Sequence, residues 1–486
     1  VASLFSYICD ISQPMDSNSD LFPEDFFHNK LVERFEEMLR SGDSRYFDAD
    51  EFEDIFEYYL ILRKHERAHK VIDTAKSQHP YSTALKIREA ELYMAQNDFK
   101  KANTLLGRIE GEASGLPEYF VTKAQILNRQ KLHHKSIYYL KKALELAGND
   151  NGDILIQLAY QYCKTKEVKK VKQTLKKFVQ TAEYHEDALF EVTNFFEFNE
   201  LKNEGVEFLQ NYIDEDPYSS MAWYNLGNLQ SSRNEFEKAI EAYDYALICN
   251  EEFSSAYFNK ANTLARLERY DEAIEVYKST LDFEEASALT YYYIGECYEQ
   301  SENFQNAYTY YYKAVKSDKN FADAWLGIGI SLDNMNRLTE GIHYIKKALS
   351  LEPENSDFWY VLAEIERKLG FVEEARYAFE KVLELDEFNT EVYLDFSAMY
   401  YQHELWSEAL EVIKRGIKNH PEEYEMSYRL TAYLYGLKRR GEAEQILRAV
   451  LSLAPAGIDD MFEYMPEMKS DDYIRELIDT YTEDRE

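Results

Sequence analysis

The hydrophobic pattern is clearest over residues 220–253, SMAWYNLGNLQSSRNEFEKAIEAYDYALICNEEF, where two helix-period stripes flank a short polar turn. Trp223-x2-Leu226-Gly227 opens the first stripe, and Ala239-x3-Tyr243 followed by Ala246 marks the second. Small residues at Gly227, Ala239 and Ala246 let two helices approach closely, while Trp223, Leu226, Tyr243 and Leu247 fill the space between this pair and the next. The same slots recur at a period of about 34 residues, the length of one helix-turn-helix unit. Downstream, Tyr257, Tyr291, Trp325, Trp359 and Tyr393 take the aromatic slot, and Ala273, Ala307, Gly341, Ala375, Ala409 and Ala443 the small one. Upstream, Phe52 with Ala68, Leu85 with Ala102, Phe120 with Ser136, Leu155 with Val171 and Leu189 with Gly205 keep nearly that spacing, with a slip near Asn149. Prolines at Pro80, Pro217, Pro353, Pro421 and Pro455 fall where second helices should end.

This pattern resembles the tetratricopeptide repeat, although Gln230 fills the repeat's Tyr slot and Glu251 its late Pro slot in the unit that matches best. The resemblance implies an all-α, right-handed superhelix, a solenoid of about twelve tandem helix pairs over residues 49–457. An acidic segment with a capping helix is expected over residues 1–48, and an acidic capping segment over residues 458–486. In the first, Phe27, Leu31, Phe35, Met38 and Leu39 share a face before Gly42; in the second, Tyr473, Ile474, Leu477, Ile478 and Tyr481 do. Residues 1–14 carry no basic leader, and Met15 is the expected native start.

Composition narrows the function. No Gly-, Ser- or Pro-rich linker divides the 486 residues, and no apolar run is long enough to span a bilayer, so no membrane partner is expected. The 4 cysteines, Cys9, Cys163, Cys249 and Cys297, lack any C-x2-C pair, which points to a reducing, cytoplasmic setting and to core thiols. Asp and Glu number 90 against 55 Lys and Arg, a net charge of −35 that disfavours nucleic acid and suits a basic or amphipathic partner. One stretch runs the other way. Lys164, Lys166, Lys169, Lys170, Lys172, Lys176 and Lys177 crowd one predicted second helix, either as a solvated face or as a dock for an acidic tail, which admits self-association through the acidic ends.

His65-Glu66-Arg67-Ala68-His69 fits the H-E-x-x-H zinc pattern, but the repeat frame accounts for it: Ala68 is the small slot, and His65 takes the slot of Phe99, Phe236, Tyr270, Phe304 and Trp406. No metal or other cofactor is expected. With no nucleophile elbow, phosphate loop, kinase set or dinucleotide fingerprint in the sequence, the expected role is non-catalytic.

The resemblance further implies that first helices line a concave groove. Counting Ser220 as position one, the fifth position reads Phe190, Tyr224, Phe258, Tyr292, Leu326, Tyr360, Leu394 and Tyr428. Sixth and ninth positions add Asn225 with Asn228 and Asn259 with Asn262, preceded by Asn194; Tyr293 ends the series. An amide offers a donor and an acceptor, so spaced Asn residues can hold an extended main chain whatever its side chains, and flanking rings add apolar area. The reading is therefore a protein-interaction scaffold whose ligand lies near Asn194 to Tyr293. The same fifth-position rings can instead pack between neighbouring first helices, and the Asn can serve the fold. A carboxylate clamp for chaperone tails is not expected, because Phe190 and Tyr224 stand where its first Lys belongs. The alternative is an acidic chaperone or assembly factor that shields a basic client.

Overall fold

The computed structural model describes residues 30–148, 151–281 and 287–482, and among them it contains helices and no strand. The expected start at Met15, with Cys9, Pro23, Phe27 and Asn149, lies outside the described residues. The chain divides into two compact units, Val1–Glu251 and Glu252–Glu486.

In the first unit α1 (Lys30–Ser41) precedes six pairs: α2 (Ala49–Ile61) with α3 (His65–Gln78), α4 (Thr83–Ala95) with α5 (Phe99–Ala113), α6 (Pro117–Arg129) with α7 (His133–Ala147), α8 (Gly152–Lys164) with α9 (Val168–Thr181), α10 (His185–Phe198) with α11 (Lys202–Glu215), and α12 (Ser220–Ser232) with α13 (Phe236–Cys249). The second unit has six more: α14 (Ser254–Arg266) with α15 (Tyr270–Thr280), α16 (Ala288–Gln300) with α17 (Phe304–Ser317), α18 (Ala322–Asn334) with α19 (Leu338–Leu351), α20 (Ser356–Lys368) with α21 (Val372–Leu385), α22 (Thr390–Gln402) with α23 (Trp406–Asn419), and α24 (Tyr424–Gly436) with α25 (Arg440–Leu453). Two short helices close it, α26 (Ile458–Tyr464) and α27 (Asp472–Thr482). The expected twelve pairs of a tandem helix-pair fold are present.

Local chemistry starts and stops these helices. Ser82, Asn151, Ser219, Ser287, Asn355 and Asn389 precede first helices, and each side chain accepts a hydrogen bond from an otherwise orphaned N–H of the first turn. Every first helix ends the same way. One residue takes a positive φ at Arg63, Asn97, Lys131, Lys166, Glu200, Asn234, Glu268, Glu302, Asn336, Gly370, Glu404 and Lys438. The next amide then reaches back five residues, as Asp98 N–H to Tyr93 C=O at 2.8 Å and Phe371 N–H to Glu366 C=O at 2.9 Å. This closes the orphaned carbonyls of the helix end and turns the chain directly into the second helix. The spacing from Lys131 to Lys166 is one residue longer than the spacings around it, which places the slip in the loop between α7 and α8.

Packing follows the predicted slots. Ala68, Ala102, Ala239, Ala273, Ala307, Ala375 and Ala409 are completely buried where second helices cross first ones. Trp223, Trp325 and Trp359 each donate an indole N–H, at 2.9 Å, to the carbonyl six residues earlier, Pro217, Lys319 and Pro353. The large aromatic slot thereby also fastens the loop that joins one pair to the next. At the ends, α1 buries Val32, Phe35 and Met38 against the first pair, and α27 buries Ile474 and Leu477 beside α25.

Tyr311, on α17, shows how tight the fit is. Its ring lies between Gly295 of α16 and Gly327 of α18, where an added Cβ would come within 2.7 and 2.6 Å of ring carbons. Interiors this dense do not absorb a methyl group without displacement. Gly327→Ala should therefore cost about 1–3 kcal/mol and lower the Tm by several degrees. Gly107→Ala, whose methyl meets nothing within 4 Å, should hold or raise it, because glycine inside a helix carries extra unfolded-state entropy. Thermal melts followed by circular dichroism check both.

Candidate partner-binding surface

First helices of successive pairs lie against one another at α2/α4, α4/α6 and α10/α12 in the first unit and at α16/α18, α18/α20 and α22/α24 in the second. Residues on their shared face are the candidates for meeting a ligand. In the first unit the structure places Asn194 half-buried on α10, with Tyr224, Asn225 and Asn228 on α12. Asn228 Oδ1 accepts the Tyr243 hydroxyl at 2.9 Å, and the Tyr224 ring packs 6.1 Å from that of Tyr243. Asn225 is completely buried, and neither end of its amide has a hydrogen-bond partner within the protein.

In the second unit Phe258, Asn259 and Asn262 sit half-buried on α14, and Tyr292 and Tyr293 on α16. Asn262 Oδ1 accepts the Tyr277 hydroxyl, the counterpart of the Asn228 to Tyr243 bond. Tyr293 stacks on Tyr277 at 6.0 Å and 7°, and meets Phe258 edge-on at 5.2 Å. Tyr292 packs 4.9 Å from Phe321 and 5.5 Å from Tyr311. Phe258, Tyr292 and Tyr293 thus join one aromatic cluster, whereas Asn228 and Asn262 are engaged inside their own pairs.

The sequence reading missed the carboxylates beside these rings. Tyr292 donates to Glu296 at 3.2 Å, Tyr311 to Glu299 at 2.9 Å and Tyr360 to Asp395 at 2.6 Å. Burial pushes all three carboxyls above their ordinary range, against the lowering effect of those hydroxyls; neighbouring acids add to it, Asp323 at Glu296 and Glu296 at Glu299. Burial likewise pushes the Cys297 thiol up to about 12, so it is a packed thiol rather than a nucleophile. An acid at position six, nine or twelve of a first helix, as Asp395, Glu296 and Glu299 are, was the available signal.

The other candidates resolve locally. His69 Nε2 lies 2.9 Å from the amide nitrogen of Gln96, and among the described residues no group of three His, Cys, Asp or Glu is arranged to hold a metal ion. On the basic helix α9, Lys172 pairs with Glu207 at 2.6 Å and Lys176 with Glu215 at 2.5 Å, both on α11. Among the described residues no helix is long and apolar enough to cross a membrane.

Paired helices of similar length, a left-handed turn residue in each pair and a small-residue crossing define a tandem helix-pair repeat protein. The chain is a tetratricopeptide repeat protein, and the tetratricopeptide repeat model itself matches residues 220–253. Residues 248–463 match the model of the cilia and flagella-associated protein 70 C-terminal domain. Among solved structures, the chain is similar to YrrB, described as a TPR protein with an unusual peptide-binding site, at 23% identity over 38% of this chain and 95% of that one, TM-score 0.33. It is similar to the C-terminal part of a TPR repeat-containing protein from Cytophaga hutchinsonii at 20% identity over 49% of this chain and 98% of that one, TM-score 0.43. It is also similar to a chain of the APC/C hetero-tetramer Cut9-Hcn1 at 14% identity over 89% of this chain and 98% of that one, TM-score 0.37. Among curated proteins none matches the chain.

The raised carboxyls set the sign of the pH response. A group that holds its proton more tightly when folded adds stability that is fully present below its unfolded value, 4.5 for Glu, and is lost as pH rises through its folded value. Surface acids held low by an ion pair, such as Glu340 beside Arg337, lose their contribution only as pH falls below that ordinary value. The two windows do not overlap. Melting at pH 5.5 should therefore give a higher Tm than at pH 7.5, and the gain should shrink in Glu299→Gln.

Proposed function

We propose that the chain is a non-catalytic scaffold that binds an extended or helical segment of another protein along its first-helix faces, and that this segment is basic or amphipathic. The observation that carries the reading is the pairing of Glu296 and Glu299. Both are half-buried, and their hydrogen bonds come from tyrosine hydroxyls rather than from a Lys or Arg. A carboxylate in that setting has already lost part of its hydration, so a ligand cation gains the attraction at a smaller desolvation cost. The aromatic cluster of Phe258, Tyr292 and Tyr293 supplies apolar area next to it.

On this reading residues 49–457 form the binding array, with residues 1–48 and 458–486 as its ends. Asn194, Tyr224, Asn225 and Asn228 serve the first unit, and Phe258, Asn259, Asn262, Tyr292 and Tyr293 the second. Asn225 contributes only where the face admits a ligand main chain, since it is fully buried in the free protein. Self-association through the acidic ends and α9 has to compete with the Lys172–Glu207 and Lys176–Glu215 pairs. We place the protein in the cytoplasm, where thiols such as Cys163, Cys249 and Cys297 stay reduced.

The net charge of −35 favours a second reading, an acidic chaperone that shields a basic client. Stoichiometry separates the two. A groove ligand saturates one to one and survives moderate salt, whereas a shielded client does neither.

The test begins with a partner captured from the native cell and mapped to a peptide. Glu296→Gln with Glu299→Gln should weaken that peptide by about tenfold, the loss of a charge-assisted contact. The same change should hold or raise the Tm, because a buried charge is removed. Asn259→Ala should also weaken binding, with the Tm within a few degrees of wild type. Unchanged affinity in both variants, or affinity and Tm falling together, overturns the proposal.

A further inference from the structure

The eleventh position of a first helix holds Tyr298 in α16, Leu332 in α18, Tyr400 in α22 and Leu434 in α24, but Glu366 in α20. Beside it a cleft of about 560 Å³ opens on the second-helix side, between α19 and α21. Lys346, Leu349, Trp359, Glu366, Glu374 and Tyr377 line it. Glu366 is the buried member, its side chain 4% exposed, and its ion-pair partner is Lys346 at 3.1 Å, itself 55% exposed.

The walls are aromatic. Trp359 and Tyr377 face each other edge to plane, with centroids 5.8 Å apart and planes at 77°. The indole is held by its N–H bond to the Pro353 carbonyl, while Tyr377 is 54% exposed and can adjust. Glu373 and Glu374 stand at the cleft with Tyr377; Glu373 is paired with Arg376 at 2.9 Å, which leaves Glu366 and Glu374 beside the single ammonium of Lys346. Burial raises the Glu366 carboxyl, with Lys346 acting against that effect, so the buried carboxylate is one that a better cation would relieve.

We propose that this cleft binds an arginine side chain presented by a basic segment of a partner protein, and that Lys346 occupies the ligand's place in the free protein. A planar guanidinium stacks on an indole face and can bond a carboxylate through two N–H groups at once, neither of which a lysine ammonium can do. Two electron-rich rings at an angle and a carboxylate floor match that shape and charge. Lys346 is a poor occupant by comparison, being tethered, monodentate and more than half in solvent. The cleft does not depend on the first-helix face, so a partner could engage either or both.

The test uses the full chain and a capped decapeptide of alternating Arg and Gly, read by the tryptophan indole N–H resonances. The Trp359 resonance should shift saturably, with Trp325 as the control in the same spectrum. Glu366→Gln should weaken the midpoint by about tenfold with helix content unchanged. Lys346→Met, a change at an exposed position, should tighten it several-fold because a competitor is removed. The matching Lys and Gly peptide should bind more weakly than the Arg peptide. The proposal is overturned by a Trp359 shift absent in both wild type and Lys346→Met, by equal midpoints in wild type and Glu366→Gln, or by equal affinity for the Lys peptide. Because Trp359 itself is the reporter, failure of the first-helix reading and failure of this one give different results.

Discussion

Each helix pair depends on one backbone arrangement, the left-handed residue at the end of its first helix and the amide that then reaches back five residues. A side chain in that conformation costs about 1–2 kcal/mol; among these turns Gly370 avoids it, and Asn97, Asn234 and Asn336 tolerate it best of the rest. The compensation is local and the same everywhere: carbonyls that the helix end would leave orphaned are satisfied without water or a long loop. A turn this short brings the second helix back at a fixed position. The residue five places on, Ala239 after Asn234 and Ala375 after Gly370, then falls where the two backbones are closest. Small size in that slot is a consequence of the turn, not an independent signal.

Close approach in turn decides what the tyrosines do. Tyr243, Tyr277 and Tyr311 enter from second helices, are nearly or fully buried, and carry their hydroxyls through to the first-helix side. There the hydroxyl meets Asn228, Asn262 or Glu299. A phenol that is desolvated needs an acceptor, so first helices must supply one. The polar ladder and the aromatic core are thus two ends of one contact. At Tyr311 the acceptor becomes a carboxylate, Glu299, and the burial needed for packing raises its affinity for a proton.

Legibility in the sequence follows from these dependencies. Ala slots, Trp slots and the period of the pairs could be read directly, because each position sees the same neighbours in every repeat. Most of the left-handed residues could not, since Lys131, Glu268 and Glu302 carry no glycine-like mark and are fixed by their place between two helices. Asn228 and Asn262 read as ligand-facing because helical spacing alone cannot say which second-helix side chain arrives above them. Glu296 and Glu299 were lost among 90 acidic residues, and only burial by Tyr292, Tyr311 and their neighbours distinguishes them from solvated ones.

A repeat array has the further property that its informative positions are the departures. In α16, α18, α22 and α24 the eleventh slot holds an uncharged side chain, Tyr298, Leu332, Tyr400 and Leu434. Glu366 keeps the backbone contact of that slot, since its carbonyl still accepts the Phe371 amide at 2.9 Å, yet it places a buried charge there. The fold tolerates the change because pair geometry is held by backbone bonds and by the neighbouring Ala375 crossing rather than by the eleventh side chain. Stability and recognition are thereby carried by different atoms of the same residue. A repeat protein can diversify what it binds one slot at a time while the helix pair around that slot stays as it was.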